Sequence, residues 1–215
     1  MRNPAVFFIA PMILSDVDAV MDIERVSHLE PWSEVSFIEE LERSYSHVLV
    51  ARAPDPKQEP RKISSPEERR SGAIVGYICF WDVADEIQIL NVAVRADFHR
   101  QGIGRALLLR ALESGCERSA RVAVLEVRPS NVAARRLYES AGFREVGRRP
   151  NYYEKMNEPA ILMEMELDPY CKAHRFRESP SKEMIIIAED KQSKRQPLHA
   201  LSKLTSHRSE SRRND

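Results

Sequence analysis

Apolar and polar positions along this chain switch between two periods, and the switches outline a succession of strands and helices. Val6–Leu14 is almost continuously apolar and reads as a first strand. Ser15 is placed to cap a helix, with Asp16 and Asp18 in a first turn where negative charge complements the dipole. Val17, Val20, Met21, Ile23 and Glu24 then recur at helical spacing to about His28. Pro31-Trp32-Ser33 breaks that helix, and Ser33 with Ser36-Phe37-Ile38 opens another to about Arg43. His47–Arg52 is a strand. Ala73–Val83 and Glu86–Val94 predict two long strands, antiparallel across Ala84-Asp85. The second alternates at Ile87 and Ile89 and then turns apolar on both faces, as a central strand does. Gly102–Ser119 predicts a helix with Ile103, Leu107, Leu108, Ala111 and Leu112 on one stripe. Val122–Val127 is a short strand, and Asn131–Ala141 is a helix ended by Gly142. Phe143–Val146 and Ala160–Leu167 complete the sheet.

Two segments fall outside this pattern. Residues 54–72 contain four prolines, many charges and one apolar residue, Ile63, so burial cannot offset the cost of ordering them. They are expected to form an exposed loop insertion within one domain, 1–167. After Pro169 the pattern gives way to charge, Ser and His, with Met184–Ala188 as an apolar island. Residues 168–215 are expected to be a basic, largely disordered tail, with at most a transient helix or strand at that island.

The 33 basic and 33 acidic residues balance, which argues against a dedicated nucleic-acid binder. Only the tail, with 11 Lys and Arg against 7 Asp and Glu, offers weak, salt-sensitive phosphate contacts. The three cysteines, Cys79, Cys116 and Cys171, lack metal-ligand spacing and suggest no disulfide framework, and Cys116 reads as a small packing residue. They fit a reducing cytoplasm. No His/Cys/carboxylate cluster suggests a metal. The apolar start lacks a small-residue cleavage site and is interrupted by Pro11, and no stretch reaches the ~20 apolar residues of a membrane span. A cytoplasmic protein without a membrane partner is expected.

The chemistry concentrates after residue 90. Arg100-Gln101-Gly102-Ile103-Gly104-Arg105 links the strand that ends at Val94 to a helix. A chain that turns through glycines into a helix start gathers backbone N–H groups in a concave nest, which suits a phosphate or pyrophosphate. Two glycines alone are equally read as a tight turn with close packing. The dinucleotide fingerprint is excluded by the missing third glycine and acidic residue, and a P-loop by the missing Gly-Lys-Ser/Thr. Downstream, Glu126 shares a strand face with Val122 and Val124. Tyr138 lies two helical turns beyond Asn131 and on nearly the same face.

This run resembles the acetyl-CoA-binding core of the GNAT N-acetyltransferases. The resemblance is carried by Asn91-Val92-Ala93-Val94, Gln101-Gly102-Ile103-Gly104-Arg105-Ala106-Leu107-Leu108 and Leu125-Glu126-Val127-Arg128, and then by Ser130-Asn131-Val132-Ala133-Ala134, Leu137-Tyr138-Glu139 and Gly142-Phe143. It covers roughly residues 6–167, with the interruption at 54–72. Glu30-Pro31-Trp32-Ser33 and Arg149-Pro150-Asn151-Tyr152-Tyr153 are similar to the Pro-Trp-Ser segment and Asn-Tyr-Tyr loop of the subfamily that acetylates the N-terminal alanine of ribosomal proteins.

The resemblance implies an α/β (α+β) GNAT fold, with a mixed, mostly antiparallel sheet of about six to seven strands and about four flanking helices. It implies acetyl-CoA as co-substrate and the N-terminal α-amine of a protein, an Ala-starting ribosomal protein in particular, as acceptor. A protein lysine or small-molecule amine is the alternative acceptor, and a non-catalytic acyl-CoA-binding module is the alternative class. The pyrophosphate would rest on His99, Arg100, Gln101, Gly102, Ile103, Gly104 and Arg105. His99 stands where the family usually has Gln or Arg. Asn91, Val92, Ala93 and Val94 would offer backbone groups to the pantetheine arm, with an N–H near Val92 on the thioester oxygen. Asn131 would touch the same arm or serve only as an N-cap. Glu126 would act as general base, against a plain strand-end carboxylate or a partner of Arg128. Tyr138 would be the general acid, against a core aromatic. Trp32, Tyr152 and Tyr153 would wall the acceptor site, or simply pack the open sheet edge.

Overall fold

Among residues 6–54, 72–174 and 185–187, which the computed structural model describes, the two periods seen in the sequence become a sheet with helices on both faces. The strands are β1 (Val6–Pro11), β2 (Ser46–Ala53), β3 (Ala73–Val83), β4 (Glu86–Val94), β5 (Val122–Val127), β6 (Arg144–Tyr153) and β7 (Glu158–Glu166), with a short β8 (Ile185–Ile187). Their spatial order is β6-β7-β5-β4-β3-β2-β1-β8. Every neighbouring pair is antiparallel except β4 and β5, which are parallel and joined through a helix.

The helices are α1 (Val17–Ser27), α2 (Glu34–Glu42), α3 (Ile103–Glu117), α4 (Val132–Ala141) and α5 (Leu167–His174). The apolar stripes of α1 and α2 bury Val17, Val20, Met21, Ile23 and Phe37 against Val48, Val50, Ile74 and Tyr77 on one sheet face. On the other face Ile103, Leu107, Leu108, Ala111 and Leu112 of α3 pack on Ile78, Ile87, Ile89 and Ala123. Each of these fully buried aliphatic side chains contributes about 1.5–3 kcal/mol.

One irregularity reshapes the centre of the sheet. The β3–β4 register passes from Cys79↔Asn91 to Phe80↔Ile89, so Leu90 is an extra, unpaired residue. A bulge bends its strand. The parallel pairing of β4 with β5 runs from Glu86↔Val122 only to Ile89↔Leu125 and stops at that bulge. Beyond it Asn91–Val94 pair with β3 alone, while Glu126 and Val127 pair with β7 alone. The two central strands therefore splay into a wedge.

Several expectations are corrected. The first strand ends at Pro11, and Ser15 does not cap α1. A 3₁₀ turn, Leu14–Asp16, precedes α1, so Asp16 takes that place without a side-chain cap bond to the helix, its carboxylate accepting Ile13 N–H at 3.0 Å and the buried Arg52 Nη2 at 2.7 and 2.6 Å instead. The Asn-Tyr-Tyr segment is not a loop but the end of β6, an edge strand. Its register jumps between Arg149 and Tyr153, where Pro150 cannot donate to the ladder. The expected tail holds structure: α5 spans 167–174, and β8 pairs with β1 through Phe7↔Ile186. Cys116 is not a free packing residue, because Cys171 on α5 lies against α3 with Cα atoms 5.5 Å apart and the two are disulfide-bonded. The insertion at 55–71 and the tail at 175–184 and from 188 onward lie outside the described residues.

Candidate functional site

The wedge between β4 and β5 opens into a cavity of about 830 Å³. Asn91 and Val92 line one side, Leu125, Glu126 and Val127 the other. Asn131 and Tyr138 reach it from α4, His28 and Trp32 from the α1–α2 side, and Arg149, Tyr152 and Tyr153 from β6. A single space thus gathers the expected base, acid and acceptor walls.

The anion cradle lies where the chain leaves β4. A 3₁₀ turn, Ala96–Phe98, leads to Arg100 at φ 62 and Gly102 at φ 81, and α3 starts at Ile103. The left-handed conformation at Gly102 is cheap only for glycine, and it turns the backbone so that its amides converge. The first helical bond runs from Ala106 N–H to Gly102 O at 2.9 Å. The amides of Ile103, Gly104 and Arg105 therefore precede any intrahelical acceptor and point outward at the positive end of a fifteen-residue helix. Arg100 and Arg105 are exposed beside them. Two side chains of the cradle are already engaged. His99 Nε2 lies 2.7 Å from Val94 O, and Gln101 Nε2 donates to Asp97 O at 3.1 Å. His99 thus ties the cradle to the end of β4, and the anion-facing groups are backbone amides with the two arginines.

Asn131 caps α4, its side chain accepting Ala134 N–H at 3.1 Å, and it also lines the cavity. One turn short of the helix end, Tyr138 is 6% exposed, its ring 5.9 Å from that of Phe143. Burial, and then the neighbouring Tyr153, push its phenol well above the usual range, so it stays protonated.

Glu126 is part-exposed and pairs with Arg149, whose Nη1 lies 3.0 Å from Oε1. Arg128, the alternative partner for Glu126, instead donates to Met156 Sδ at 2.9 Å and lies over the Tyr153 ring at 5.7 Å. Tyr152 hydrogen-bonds Glu126, which raises the Tyr152 pKa first, ahead of burial. Arg149 in turn lies over the Tyr152 ring at 5.1 Å. Tyr152 and Tyr153 meet edge to face at 5.1 Å. Trp32 packs on Phe37 at 5.4 Å and lines the cavity, so its packing and lining roles coexist. Lys155 Nζ and Glu30 Oε1 meet at 3.0 Å, linking the β6–β7 turn to the α1–α2 segment.

Asn91 differs from the expectation in one respect. Its side chain is buried toward α1, where Nδ2 donates to Glu24 at 3.3 and 3.4 Å, so only its backbone is available to a pantetheine arm. Glu24, fully buried, also accepts Trp32 N–H at 2.7 Å and the Tyr77 hydroxyl. His28 Nε2 lies 3.4 Å from Glu24 Oε2. Burial lowers the His28 pKa, Glu24 opposes this, and Arg128 adds to it. Sequence reasoning missed Glu24, His28 and Arg149 as site residues. A carboxylate at a stripe position of α1 was the available signal for the first two.

The model of the acetyltransferase (GNAT) family matches residues 17–143. The ribosomal protein bS18-alanine N-acetyltransferase of Escherichia coli (strain K12) is 32% identical over 161 residues, 74% of this chain and 97% of that protein. A Bacillus subtilis (strain 168) relative, provisionally named for the same activity, is 36% identical over 153 residues, 71% of this chain and 90% of its own length. The crystal structure of the Escherichia coli enzyme superposes with a TM-score of 0.62 at 32% identity, over 75% of this chain and 94% of that one.

Proposed function

This chain belongs to the GNAT acetyltransferases, and from that premise we propose that it transfers the acetyl group of acetyl-CoA to the N-terminal α-amine of a protein, in particular a ribosomal protein that starts with alanine. The observation that carries the reading is the single wedge cavity onto which Glu126, Tyr138 and both rim segments, Trp32 and Tyr152-Tyr153, open.

The residues present suit acetyl-CoA. The outward amides of Ile103, Gly104 and Arg105, flanked by Arg100, would hold its pyrophosphate. The backbone of Asn91–Val94, released from β5, would hold the pantetheine arm, and an N–H at Val92 would polarise the acyl oxygen. When bound, acetyl-CoA supplies an activated acyl carbon that a neutral amine can attack. Glu126 draws the acceptor ammonium and takes its proton, directly or through water. Tyr138, kept in its acid form by burial, protonates the departing sulfur. An α-amine, with a pKa of about 7.7–8.0 against about 10.4 for lysine, is the easier acceptor for such a base.

Trp32 on one rim and Tyr152 and Tyr153 on the other, with Lys155 and Glu30 paired across, would wall an acceptor subsite that takes a small first side chain. The test is acetylation of peptides that differ only at residue one. Ala and Ser should be used with higher kcat/KM than Leu or Trp, because steric exclusion rejects a large side chain more sharply than lost contacts do. Equal use of Trp-starting and Ala-starting peptides would contradict the assignment.

A further inference from the structure

Glu24 is an acidic residue at a stripe position of α1, and it is 0% exposed between that helix and the sheet. A carboxylate taken out of water needs hydrogen-bond donors, and those of Glu24 come from three different elements. Oε1 accepts Trp32 N–H, from the segment between α1 and α2, at 2.7 Å. The same oxygen accepts a bond from Asn91 Nδ2 of β4 at 3.3 Å, and Oε2 accepts one from it at 3.4 Å. The Tyr77 hydroxyl of β3 donates to Oε2. A single carboxylate oxygen therefore joins Trp32, a wall of the acceptor side, to the strand along which the pantetheine arm would lie.

Asn91 directly follows the bulge residue Leu90, past the point where pairing with β5 ends. Val92, whose N–H would polarise the acyl oxygen, comes next in the chain. Beyond the bulge β4 has one ladder instead of two, with β3 on one side and the wedge on the other. Glu24 holds that half of the strand from α1. Stability does not explain the arrangement. Asn91 is 7% exposed, and with Nδ2 turned to Glu24 its Oδ1 has no hydrogen-bond partner among the described residues. A buried carbonyl left unpaired cancels much of what the Nδ2 bonds contribute, and apolar residues of the same shape would be about as stable.

We propose that Glu24 is a positioning residue: it fixes Trp32 and the Asn91-Val92 segment relative to each other, and so sets the gap in which the amine meets the acyl carbon and the first side chain is sized. This rests on the reading that an amine is acetylated in this cavity. Glu24 touches neither substrate and handles no proton of the reaction. Its effect is geometric. Reacting atoms must sit about 3–3.5 Å apart, and a misplacement of about 1 Å can cost on the order of 10²-fold in rate. A shift of Trp32 would also relax the steric exclusion of large first residues. Tyr77 shares the carboxylate but stands outside this connection, since it is fully buried on β3 and does not line the cavity. Removing its hydroxyl leaves the link from Trp32 through Glu24 to Asn91 in place.

The test compares Asn91→Ala, which cuts the link, with Tyr77→Phe, which removes a hydrogen bond to the same carboxylate and spares the link. Should Asn91→Ala not fold, Asn91→Leu fills the space and cuts the same bonds. The measurements are kcat and KM with Ala-starting and Leu-starting peptides, with thermal melting as the check on folding. Both variants should melt below the wild type. Asn91→Ala should lose kcat on the order of 10–10²-fold with the Ala-starting peptide, and its preference for Ala over Leu in kcat/KM should shrink on the order of 10-fold. Tyr77→Phe should stay within about threefold of the wild type in both quantities. Glu24→Gln keeps a carbonyl for Trp32 N–H and, with the Asn91 amide turned over, offers an N–H to Asn91 Oδ1, so it should retain kcat within about tenfold. Equal kcat and equal Ala preference in Asn91→Ala and Tyr77→Phe would overturn the proposal, and so would a folded Glu24→Gln as slow as Asn91→Ala. If the wild type uses Ala-starting and Leu-starting peptides alike, the reading of a small first residue fails, yet the kcat of Asn91→Ala against that of Tyr77→Phe still decides the role of Glu24. If the wild type acetylates no amine, both fall.

Discussion

Removing one oxygen atom tests the acid assignment. Tyr138→Phe deletes the phenolic hydroxyl and leaves the ring in place, 6% exposed and 5.9 Å from Phe143. The apolar packing of the ring is retained, so stability should change by less than about 1.5 kcal/mol. The chemical effect should be far larger. The hydroxyl is held in its acid form by burial and by Tyr153, and under the acid assignment it would donate a proton only as the sulfur departs. Losing a positioned general acid costs on the order of 10²–10⁴-fold in rate, which corresponds to about 2.7–5.4 kcal/mol of barrier. Because the interaction belongs to the transition state, kcat and kcat/KM should fall together while KM for both substrates holds. Steady-state thiol release with an Ala-starting peptide reads the rates, and thermal melting checks the fold. A variant with kcat within about threefold of wild type would refute the acid role. A fall in acetyl-CoA affinity that accounts for the whole loss would show that the hydroxyl binds rather than protonates.

The cradle and the disulfide offer two further tests. A Cβ at Gly104 would meet Leu137 Cδ2 and Val94 Cγ2 at 3.6 Å, an ordinary contact, so Gly104→Val should fold. Its branched side chain would crowd the amide nest, and calorimetry should show acetyl-CoA affinity reduced on the order of 10²-fold or more, whereas an unchanged Kd would remove the pyrophosphate assignment. The bond between Cys116 and Cys171 closes a separation of 55 residues, worth roughly 4 kcal/mol of chain entropy. Reduction should lower Tm on the order of 10 °C and leave kcat unchanged, since no α5 residue lines the cavity, and a loss of kcat in still-folded reduced protein would contradict this.

The parts of the fold that were legible in the sequence depend on local pattern. The stripes of α1 and α3, the hairpin across Ala84-Asp85 and the ends of α4 at Asn131 and Gly142 follow from residues a few positions apart. The glycines of the cradle were legible for the same reason, since a left-handed turn at Gly102 demands its residue type. What stayed hidden depends on residues brought together by topology. Leu90 reads as one more apolar strand residue, and only its pairing with β3 reveals the bulge that opens the wedge. Arg149 reaches Glu126 because β6 and β7 fold back beside β5, a juxtaposition that no period in either strand encodes. Cys171 was read as part of a tail because α5 is short, begins around Asp168-Pro169 and gains its order from packing on α3. Glu24 was visible as a charged residue on an apolar stripe, but its partners Tyr77 and Asn91 lie more than fifty residues away.

The central claim is that the acceptor is an α-amine, and it is tested most directly by pairing two peptides of identical sequence. One carries a free N-terminal alanine, and the other has its α-amine blocked but keeps an accessible lysine. With acetyl-CoA and the wild-type protein, mass spectrometry should find the first peptide acetylated at its α-nitrogen and the second used on the order of 10²-fold more slowly, as the higher pKa of lysine and its longer reach both dictate. Acetylation of the blocked peptide at a rate matching the free one would contradict the account and make the protein a lysine acetyltransferase.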